Sequence, residues 1–406
     1  MINVECHNNV FRFQYLNHPK VVTEFISKLN NSLTNNYKDI VLDFSRVEKQ
    51  FYPSVLVPLA GLIDKLKGDG ISTTIQNFNH LWYENPFESE LFSHKSSKSI
   101  LNAIWRFNDE NSYQYIDSLF EELEKSDTFP KGVLKLCEWS LNEVIDNVLI
   151  HSGVSDGFIM AQLHRKTKHI AFCVFDTGIG IQRSFNEGNK YRPTSQTDAI
   201  ELAIQEGVTS NNLKGQGNGL FGLHSLVKHG DGRLTITSGD GCYHYTGKQP
   251  KTFQNLASYR KRNCHTCVDF VIDYSKELSI EKVLTFNSID YKPVNLRLER
   301  MENERGDILF NLKDLGEGTG TRPAAQKLKN RILNILNEEP RNIILDFKDV
   351  EVISSSYADE LIAKLLVSLG LFQFNQLIHL RNLDYDLQTI LQRSVIQRFI
   401  TAYSSI

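Results

Sequence analysis

Residues 140–153 read SLNEVIDNVLIHSG, and this stretch decides how the middle of the 406-residue chain is interpreted. The polar residues Glu143, Asn147 and His151 are spaced by four, so they lie along one stripe of a helix, roughly 12 Å long. Such a stripe is typical of either a solvated face or a functional site. The apolar residues recur every three or four positions, which predicts a helix with one buried face, formed by Leu141, Val144, Ile145, Val148 and Leu149.

Three segments downstream favour a site. The apolar run HIAFCVF (169–175) leads into DTGIG (176–180), LKGQGNGLFGLHSLVKHG (213–230) is a glycine-rich loop that opens into a helix, and CHTCVDFVIDY (264–274) is typical of a strand. A glycine-rich loop has few side chains to obstruct a phosphate. The N–H groups at the start of the following helix can bind that anion.

The residue types on the stripe suit a magnesium nucleotide. The side-chain oxygen of Asn147 is a hard ligand, and Mg²⁺ usually takes one or two protein ligands besides phosphates and waters. Glu143, one turn away, can accept a proton from an attacking hydroxyl or water. Asp176, at a strand end, can accept a hydrogen bond from an exocyclic amine such as that of adenine. Each motif alone is weak evidence, but their order and spacing favour a nucleotide site.

These motifs resemble those of the GHKL ATPase superfamily (gyrase, heat-shock chaperone, histidine kinase and mismatch-repair ATPases) over residues 135–273. Glu143 and Asn147 resemble its N box, residues 183–213 resemble its ATP lid, and the form E-x-x-x-N-x-x-x-H is closest to anti-sigma-factor serine kinases. His151 would face the phosphates or the lid; a helix-end histidine against the C-terminal dipole is an equal alternative. The two glycine boxes are matched by Asp176, Gly178 and Gly180 and by Gly215, Gly217 and Gly219.

The resemblance implies a role for each matched residue. Asn147 would coordinate Mg²⁺, Glu143 would be the general base, and Asp176 would contact the adenine amino group. Thr266 resembles the threonine of the last box and would join Asp176 at the adenine through a water, although His265 stands where a glycine is usual. The remaining nucleotide contacts would come from Gly178, Gly180, Gly215, Gly217, Gly219 and Leu220.

An internal repeat marks the two ends of the chain. KDIVLDFSRVE (38–48) and RNIILDFKDVE (341–351) align without gaps, and each lies between helix-like segments that are followed by a short strand run. The order β-α-β-α-β indicates an α/β layer unit. The ungapped match favours a true domain repeat over chance similarity between strand-turn-helix units.

The C-terminal copy resembles the STAS-like family, the fold of anti-anti-sigma factors. The resemblance is carried by GTGTRPAA (318–325), IILDFKDVEVISSSYADEL (343–361) and LRNLDYDLQTILQRSVIQR (380–398). It places the family's phosphorylated serine at Ser355, with Ser354 in place of the usual preceding aspartate.

A structural role is the alternative for these serines. One hydroxyl of residues 354–356 would then cap a helix that begins near Tyr357. In the N-terminal copy Tyr52 stands where Ser355 stands in the C-terminal copy, which predicts a scaffold or docking domain there.

Other segments offer weaker alternatives. Cys264 and Cys267, with Cys242 and His244 nearby in the sequence, are a candidate zinc site. However, Cys264 and Cys267 would point to opposite faces of a strand, and the sequence has no second Cys-x-x-Cys. The run YRKRN (259–263) is short and isolated, which favours a solvated loop over a nucleic-acid patch.

Net charge, apolar patterning and cysteine content limit the classes of protein to which the chain can belong. The formal net charge of −3 gives no electrostatic basis for non-specific binding to nucleic acid. We expect no membrane span and no secretion signal, because neither pattern is present. Six scattered cysteines are typical of reduced thiols, so we expect a cytoplasmic protein.

The sequence therefore predicts an α/β (α+β) protein of three domains, with a central Bergerat-type α/β sandwich ATPase between two STAS-like α/β domains. The predicted boundaries are 1–100 for the N-terminal STAS-like domain, 101–280 for the GHKL ATP-binding domain, 281–304 for a linker and 305–406 for the C-terminal STAS-like domain.

We expect a regulatory protein that hydrolyses Mg-ATP or transfers phosphate to serine or threonine in an intracellular signalling or response switch. The alternative is an ATP-sensing module whose lid closure repositions the STAS-like domains without phosphotransfer. The expected ligands are ATP and Mg²⁺, with protein partners bound through the STAS-like domains, and the resemblance also allows a homodimer. His80 and His94 do not lie in a segment that resembles a dimerisation helix, which disfavours a sensor histidine kinase.

Overall fold

A computed structural model gives the architecture of the protein. It describes residues 3–48, 50–78, 100–188, 190–210, 217–259, 264–286, 289–290, 293 and 296–403. The chain divides into two compact units, a larger unit of residues 1–119 and 136–292 and a smaller unit of residues 120–135 and 293–406. Each unit combines helices with β-sheet, so the fold is mixed α/β. The division into three domains stays a prediction.

The N-terminal part of the larger unit is a four-stranded sheet with two helices. Its elements are β1 (Val4–His7), β2 (Val10–Phe13), α1 (Lys20–Thr34), β3 (Asp39–Asp43), α2 (Pro53–Gly68) and β4 (Ser72–Gln76). Strands β2, β3 and β4 pair in parallel, and β1 pairs antiparallel to β2. Helix α1 connects β2 to β3 and α2 connects β3 to β4, which gives the predicted β-α-β-α-β order.

A seven-stranded antiparallel sheet forms the centre of the larger unit. Its strands are β5 (Trp105–Asn108), β6 (Asp156–His164), β7 (His169–Asp176), β8 (Arg233–Ser238), β9 (Gly241–Tyr245), β10 (Lys251–Phe253) and β11 (Thr266–Asp273). The strand order is β10-β9-β8-β11-β7-β6-β5. β6 and β7 are apolar and buried along almost their whole length, because elements cover both faces of the sheet there.

Helix α2 covers one of those faces. Its residues from Pro53 to Ile63 are all buried, which fits a helix that is apolar on every side. Gly61 brings α2 close to the sheet, since a Cβ at this position would overlap Cδ1 and Cε1 of the Phe175 ring on β7. The N-terminal copy of the repeat and the central sheet therefore share one hydrophobic core.

Five helices accompany the central sheet. They are α3 (Ser112–Ser126), α4 (Val133–His151), α5 (Ile181–Glu187), α6 (Gln196–Ala203) and α7 (Gly219–His229). The boundary between the two units falls within α3 and again within α4. The segment predicted as a linker contains short elements, namely α8 (Ile280–Val283), β12 (Thr285–Phe286), β13 (Ile289–Asp290) and α9 (Leu296–Glu299).

The C-terminal part of the smaller unit repeats the parallel arrangement. Its elements are β14 (Ile308–Asn311), α10 (Arg322–Glu338), β15 (Ile343–Asp346), α11 (Ser355–Ala358), a π-helical turn (Asp359–Ala363), α12 (Lys364–Leu369), α13 (Leu371–Leu377), β16 (Ile378–Arg381) and α14 (Tyr385–Tyr403). The three strands pair in parallel in the order β14-β15-β16.

The repeat extends to individual hydrogen bonds. Asp43 at the end of β3 accepts a hydrogen bond from Asn77 Nδ2 at 2.9 Å, and Asp346 at the end of β15 accepts one from Asn382 Nδ2 at 2.7 Å. Both asparagines have a left-handed backbone, with φ of 59° and 57°. Asparagine tolerates this conformation better than most residues, so the same turn closes both copies.

Candidate functional site

A cavity of about 360 Å³ lies in the larger unit, between α4, the end of β7 and the start of α7. Its volume is within the range of small-molecule sites. Of the residues predicted from sequence, it is lined by Glu143, Asn147, Asp176, Gly180, Gly217, Gly219, Leu220 and Thr266. Gly178 lies in the adjoining turn, and the predicted Gly215 falls outside the described residues.

Helix α4 provides the polar stripe. Its apolar residues Leu141, Val144 and Val148 are buried, while Glu143 and Asn147 are half-buried and face the cavity. Burial, and then the negative charge of the neighbouring Asp146, raise the pKa of Glu143 to about 7. A carboxylate with this pKa can act as a general base near neutral pH.

The glycine-rich segment approaches α4 closely. α7 begins at Gly219, and a Cβ there would lie 2.5 Å from Oε2 of Glu143. Gly217 has a φ of 77°, a conformation that favours glycine, and it packs against the backbone of Val208. The first N–H groups of an 11-residue helix have no acceptor within the helix. The start of α7 can therefore bind an anion in the cavity.

Asp176 ends β7 and is 4% exposed. One of its oxygens accepts a hydrogen bond from the N–H of Gly178 at 2.8 Å. Thr266 is its register partner on β11 and hydrogen-bonds to it. Burial raises the pKa of Asp176 to about 7, against the opposing effect of these hydrogen bonds. The carboxyl group is thus held rigidly at the cavity wall and can accept a hydrogen bond from a ligand.

The residue before Thr266 and the nearby thiols do not form a ligand set. Burial lowers the pKa of His265 to about 4, and its ring lies 5.5 Å from that of Phe175. Cys267 is buried with its sulfur 3.5 Å from that of Cys173, whereas Cys264 precedes the strand and approaches Gln196. Among the described residues, no group of three or more histidine, cysteine, aspartate or glutamate side chains could hold a metal ion. The zinc alternative therefore has no support in this part of the chain.

His151 contacts the segment that was predicted as the lid. Its Nδ1 lies 3.4 Å from Oγ of Ser210, which in turn lies 3.0 Å from Oγ of Ser184. His151 is also the last residue of α4, so both the segment predicted as the lid and the helix end are its neighbours. All three residues line the cavity.

The cavity also contains residues that the sequence interpretation missed. Trp139 and Phe286 line it with their ring centroids 5.9 Å apart. Trp139 stands four residues before Glu143, so extending the stripe by one turn would have found it. Phe286 comes from the segment predicted as a linker, and no local sequence signal marks it.

The serines of the smaller unit have separate positions. Ser354 Oγ accepts a hydrogen bond from Tyr357 N at 3.0 Å, so the capping alternative is confirmed for Ser354, and the helix begins at Ser355. Ser355 itself is exposed on the first turn. Its role as a phosphoacceptor stays a prediction.

Comparison with known proteins identifies the C-terminal copy. Residues 324–388 match the model of a family described as a STAS-like domain of unknown function (DUF4325). Within the C-terminal copy, residues 324–388 are therefore similar to a STAS-like domain. The match extends from α10 to the start of α14 and confirms that part of the predicted resemblance. No curated protein matches the chain. In the part of the chain that the structure describes, no helix combines the length and apolar character needed to cross a membrane.

Proposed function

We propose that the chain binds Mg-ATP in the α4 cavity and acts as a regulatory ATPase or a serine/threonine kinase. One observation carries the proposal: Glu143, Asn147 and Asp176, which come from separate motifs, line the same cavity as the glycine start of α7. The resemblance of the motif order to that of the GHKL superfamily supports it further. The STAS-like C-terminal copy is consistent with a regulatory role.

The chemistry of the cavity walls fits a nucleoside triphosphate. Asp176, which is hydrogen-bonded to Thr266, can accept a hydrogen bond from the amino group of adenine. The backbone from Gly217 to Leu220 offers N–H groups, without obstructing side chains at the two glycines, for phosphate oxygens. Asn147 offers the amide oxygen that would hold Mg²⁺, which would neutralise phosphate charge when bound.

Glu143 would act as the general base. It removes the proton from a water or a serine or threonine hydroxyl as that oxygen bonds to the γ-phosphorus. The bond between the γ-phosphorus and the bridging oxygen breaks, and ADP leaves with the electron pair. With water the product is inorganic phosphate; with a hydroxyl it is a phosphoester on this chain, for which Ser355 is the candidate, or on a partner protein.

The test uses the full chain with Mg²⁺ and γ-labelled ATP. Free phosphate and labelled protein are followed for the native chain and for Glu143→Gln, which keeps the size of the side chain but removes its basicity. Loss of either product in Glu143→Gln, with retained ADP binding, would support the proposal. Absence of nucleotide binding by the native chain would refute it.

The phosphoacceptor requires its own control. Label that disappears in Ser355→Ala and persists in Ser368→Ala, a substitution of another exposed serine in the same unit, would establish a kinase acting on Ser355. Free phosphate without labelled protein would establish an ATPase. Nucleotide binding with neither product would reduce the function to ATP sensing.

A further inference from the structure

The connection between α3 and α4 is held by asparagine side chains of α10, all within the smaller unit. Asn330 Nδ2 donates to the carbonyl oxygen of Lys125 at 3.1 Å. Asn334 Nδ2 donates to the carbonyl oxygens of Glu124 at 2.9 Å and Asp127 at 2.8 Å. These acceptors belong to the last turn of α3 and the residue after it. The last carbonyl groups of a helix receive no hydrogen bond from within the helix. The asparagines of α10 supply the donors instead.

The same face of α10 binds the rest of the connection. Asn334 Oδ1 accepts from Phe129 N at 2.6 Å, and Asn337 Nδ2 donates to Phe129 O at 2.9 Å. Glu338 Oε1 accepts from Gly132 N at 2.9 Å. Gly132 directly precedes the first residue of α4. The main chain is thus bonded to α10 from the end of α3 to the start of α4.

Two of the three asparagines are buried, whereas Asn337 is exposed. Asn334 is 3% exposed and Asn330 is 7% exposed. A buried carbonyl that loses its hydrogen-bond donor still carries the free-energy cost of desolvation, and no hydrogen bond offsets that cost. Alternative positions of the connection would leave several such groups unsatisfied at once, so α10 fixes a single position.

Charged groups reinforce the end of α3. Arg331 Nη1 lies 3.2 Å from Glu121, and Arg297 Nη2 lies 3.1 Å from Glu124. The side chains of Arg297 and Glu124 are only 10% and 8% exposed. Removing one partner of such a pair would leave the other charge buried and unpaired. This ion pair therefore also resists displacement of the end of α3.

Helix α4 connects this contact to the nucleotide site. It is a single helix from Val133 to His151, and Glu143 lies ten residues after its start, or about 15 Å along its axis. An unbroken helix transmits a displacement of its first turn to the turns that follow. Glu143 and the connection are therefore joined by about three turns of one continuous helix.

We propose that Asn334, with Asn330 and Asn337, acts as a set of positioning residues for the nucleotide site: α10 of the STAS-like copy places Glu143 through α4. This inference rests on the proposed function. Asp176 and Thr266 lie on strands of the sheet, so α10 affects proton transfer by Glu143 more than adenine binding.

The test compares three variants of the full chain. Asn334→Ala removes two donors and one acceptor, Asn337→Ala removes one donor, and Asn342→Ala is the control, because Asn342 donates to Asp307 at 2.9 Å instead. Phosphate release gives kcat and KM, calorimetry gives the Kd for ADP, and circular dichroism verifies folding. Hydrogen exchange of residues 127–132 is measured with and without ADP.

We expect Asn334→Ala to lower kcat by roughly tenfold or more, since small misplacements of a catalytic group have effects of this size. The Kd for ADP should change by less than about twofold, and Asn337→Ala should have a smaller effect in the same direction. Residues 127–132 should exchange faster in Asn334→Ala than in the native chain and in Asn342→Ala, both with and without ADP.

A native kcat in folded Asn334→Ala would overturn the inference, as would equal losses of kcat and ADP affinity, which indicate general destabilisation. If Asn334→Ala does not fold, Asn337→Ala decides by the same criteria. Absence of nucleotide binding in the native chain would refute the proposed function and this inference with it. Native binding and turnover with unaltered kcat in both variants would refute only the positioning role.

Discussion

Gly219, the first residue of α7, packs directly against Glu143 of α4. A Cβ at position 219 would lie 2.5 Å from Oε2 and 3.1 Å from Cβ of Glu143. Gly219 does not have a positive φ, so the requirement for glycine comes from this close approach and not from backbone conformation. The absence of a side chain at 219 determines where the Glu143 carboxylate can lie.

The first prediction is that Gly219→Ala impairs turnover while the fold is kept. The added methyl group must displace the Glu143 carboxylate, which should lower kcat by roughly ten- to a hundredfold. Alanine is the best helix former, so α7 itself should tolerate the change. Phosphate release measures kcat, and circular dichroism monitors the helix content.

A double variant provides the control. If Gly219 acts through Glu143, Gly219→Ala combined with Glu143→Gln should be no slower than Glu143→Gln alone, because effects on one functional unit do not add. A further loss in the double variant would show that Gly219 has another role, such as contact with phosphate.

The second prediction concerns pH and nucleotide affinity. Burial raises the pKa of Asp176 to about 7, and its hydrogen bonds to Gly178 and Thr266 only partly oppose this. Adenine requires the ionised carboxylate as acceptor, so protonation in the free protein competes with binding. Affinity for ADP should be constant above pH 8 and fall as pH is lowered through 7, by up to about tenfold per pH unit. Calorimetric titration across this range measures it.

Titration of ADP itself must be separated from that of Asp176. Asp176→Asn keeps an acceptor oxygen but does not titrate, and ADP titrates identically in both proteins. The ratio of the two affinities should therefore carry the dependence on pH through 7. A ratio that is independent of pH would contradict the assignment of Asp176 to the adenine.

The third prediction compares two glycines of one helix. Gly61→Ala in α2 should destabilise the protein by about 1–3 kcal/mol, because the methyl group overlaps the Phe175 ring and forces repacking. Gly68→Ala in the same helix meets nothing within 4 Å and should be neutral or slightly stabilising, since alanine favours helix. Urea unfolding of both variants tests the pair. Equal effects would show that α2 does not pack tightly on the sheet.

Local periodicity explains why much of the site could be predicted. Glu143 and Asn147 share a helix face because of their spacing, and Asp176 follows an apolar run that is typical of a buried strand. Asp43 and Asp346 likewise stand at the same point of a repeated pattern. In each case the information lies within about ten neighbouring residues.

Long-range packing explains what could not be predicted. Asn330, Asn334 and Asn337 form a polar stripe of α10 that is typical of a solvated face, yet they bind the main chain some 200 positions earlier, a separation of 205 for Asn330 and Lys125. Phe286 reaches the cavity from a segment without regular pattern. Such contacts depend on how distant elements meet, which no local pattern records.

The fourth prediction concerns Glu360 in the π-helical turn, which is 2% exposed. Lys329 Nζ lies 2.6 Å and Arg322 Nη1 2.9 Å from its oxygens, and Lys364 also pairs with it. Burial acts to raise the pKa of Glu360, but these partners outweigh it and lower the pKa to about 2. Glu360→Gln leaves the largely buried Lys329, whose side chain is 13% exposed, without its carboxylate partner and should destabilise the smaller unit by about 3 kcal/mol at pH 7.

The pH dependence and an exposed pair test this charge cluster. Because the folded pKa of Glu360 is lowered, its stabilisation is complete above about pH 4.5 and is lost as pH falls towards 2. The native chain and Glu360→Gln should therefore converge in urea stability over that interval. The control Glu317→Gln breaks an exposed pair with Lys327, at 37% and 43% side-chain exposure, and should cost less than about 1 kcal/mol. Equal losses in the two variants would contradict a special role for the buried cluster.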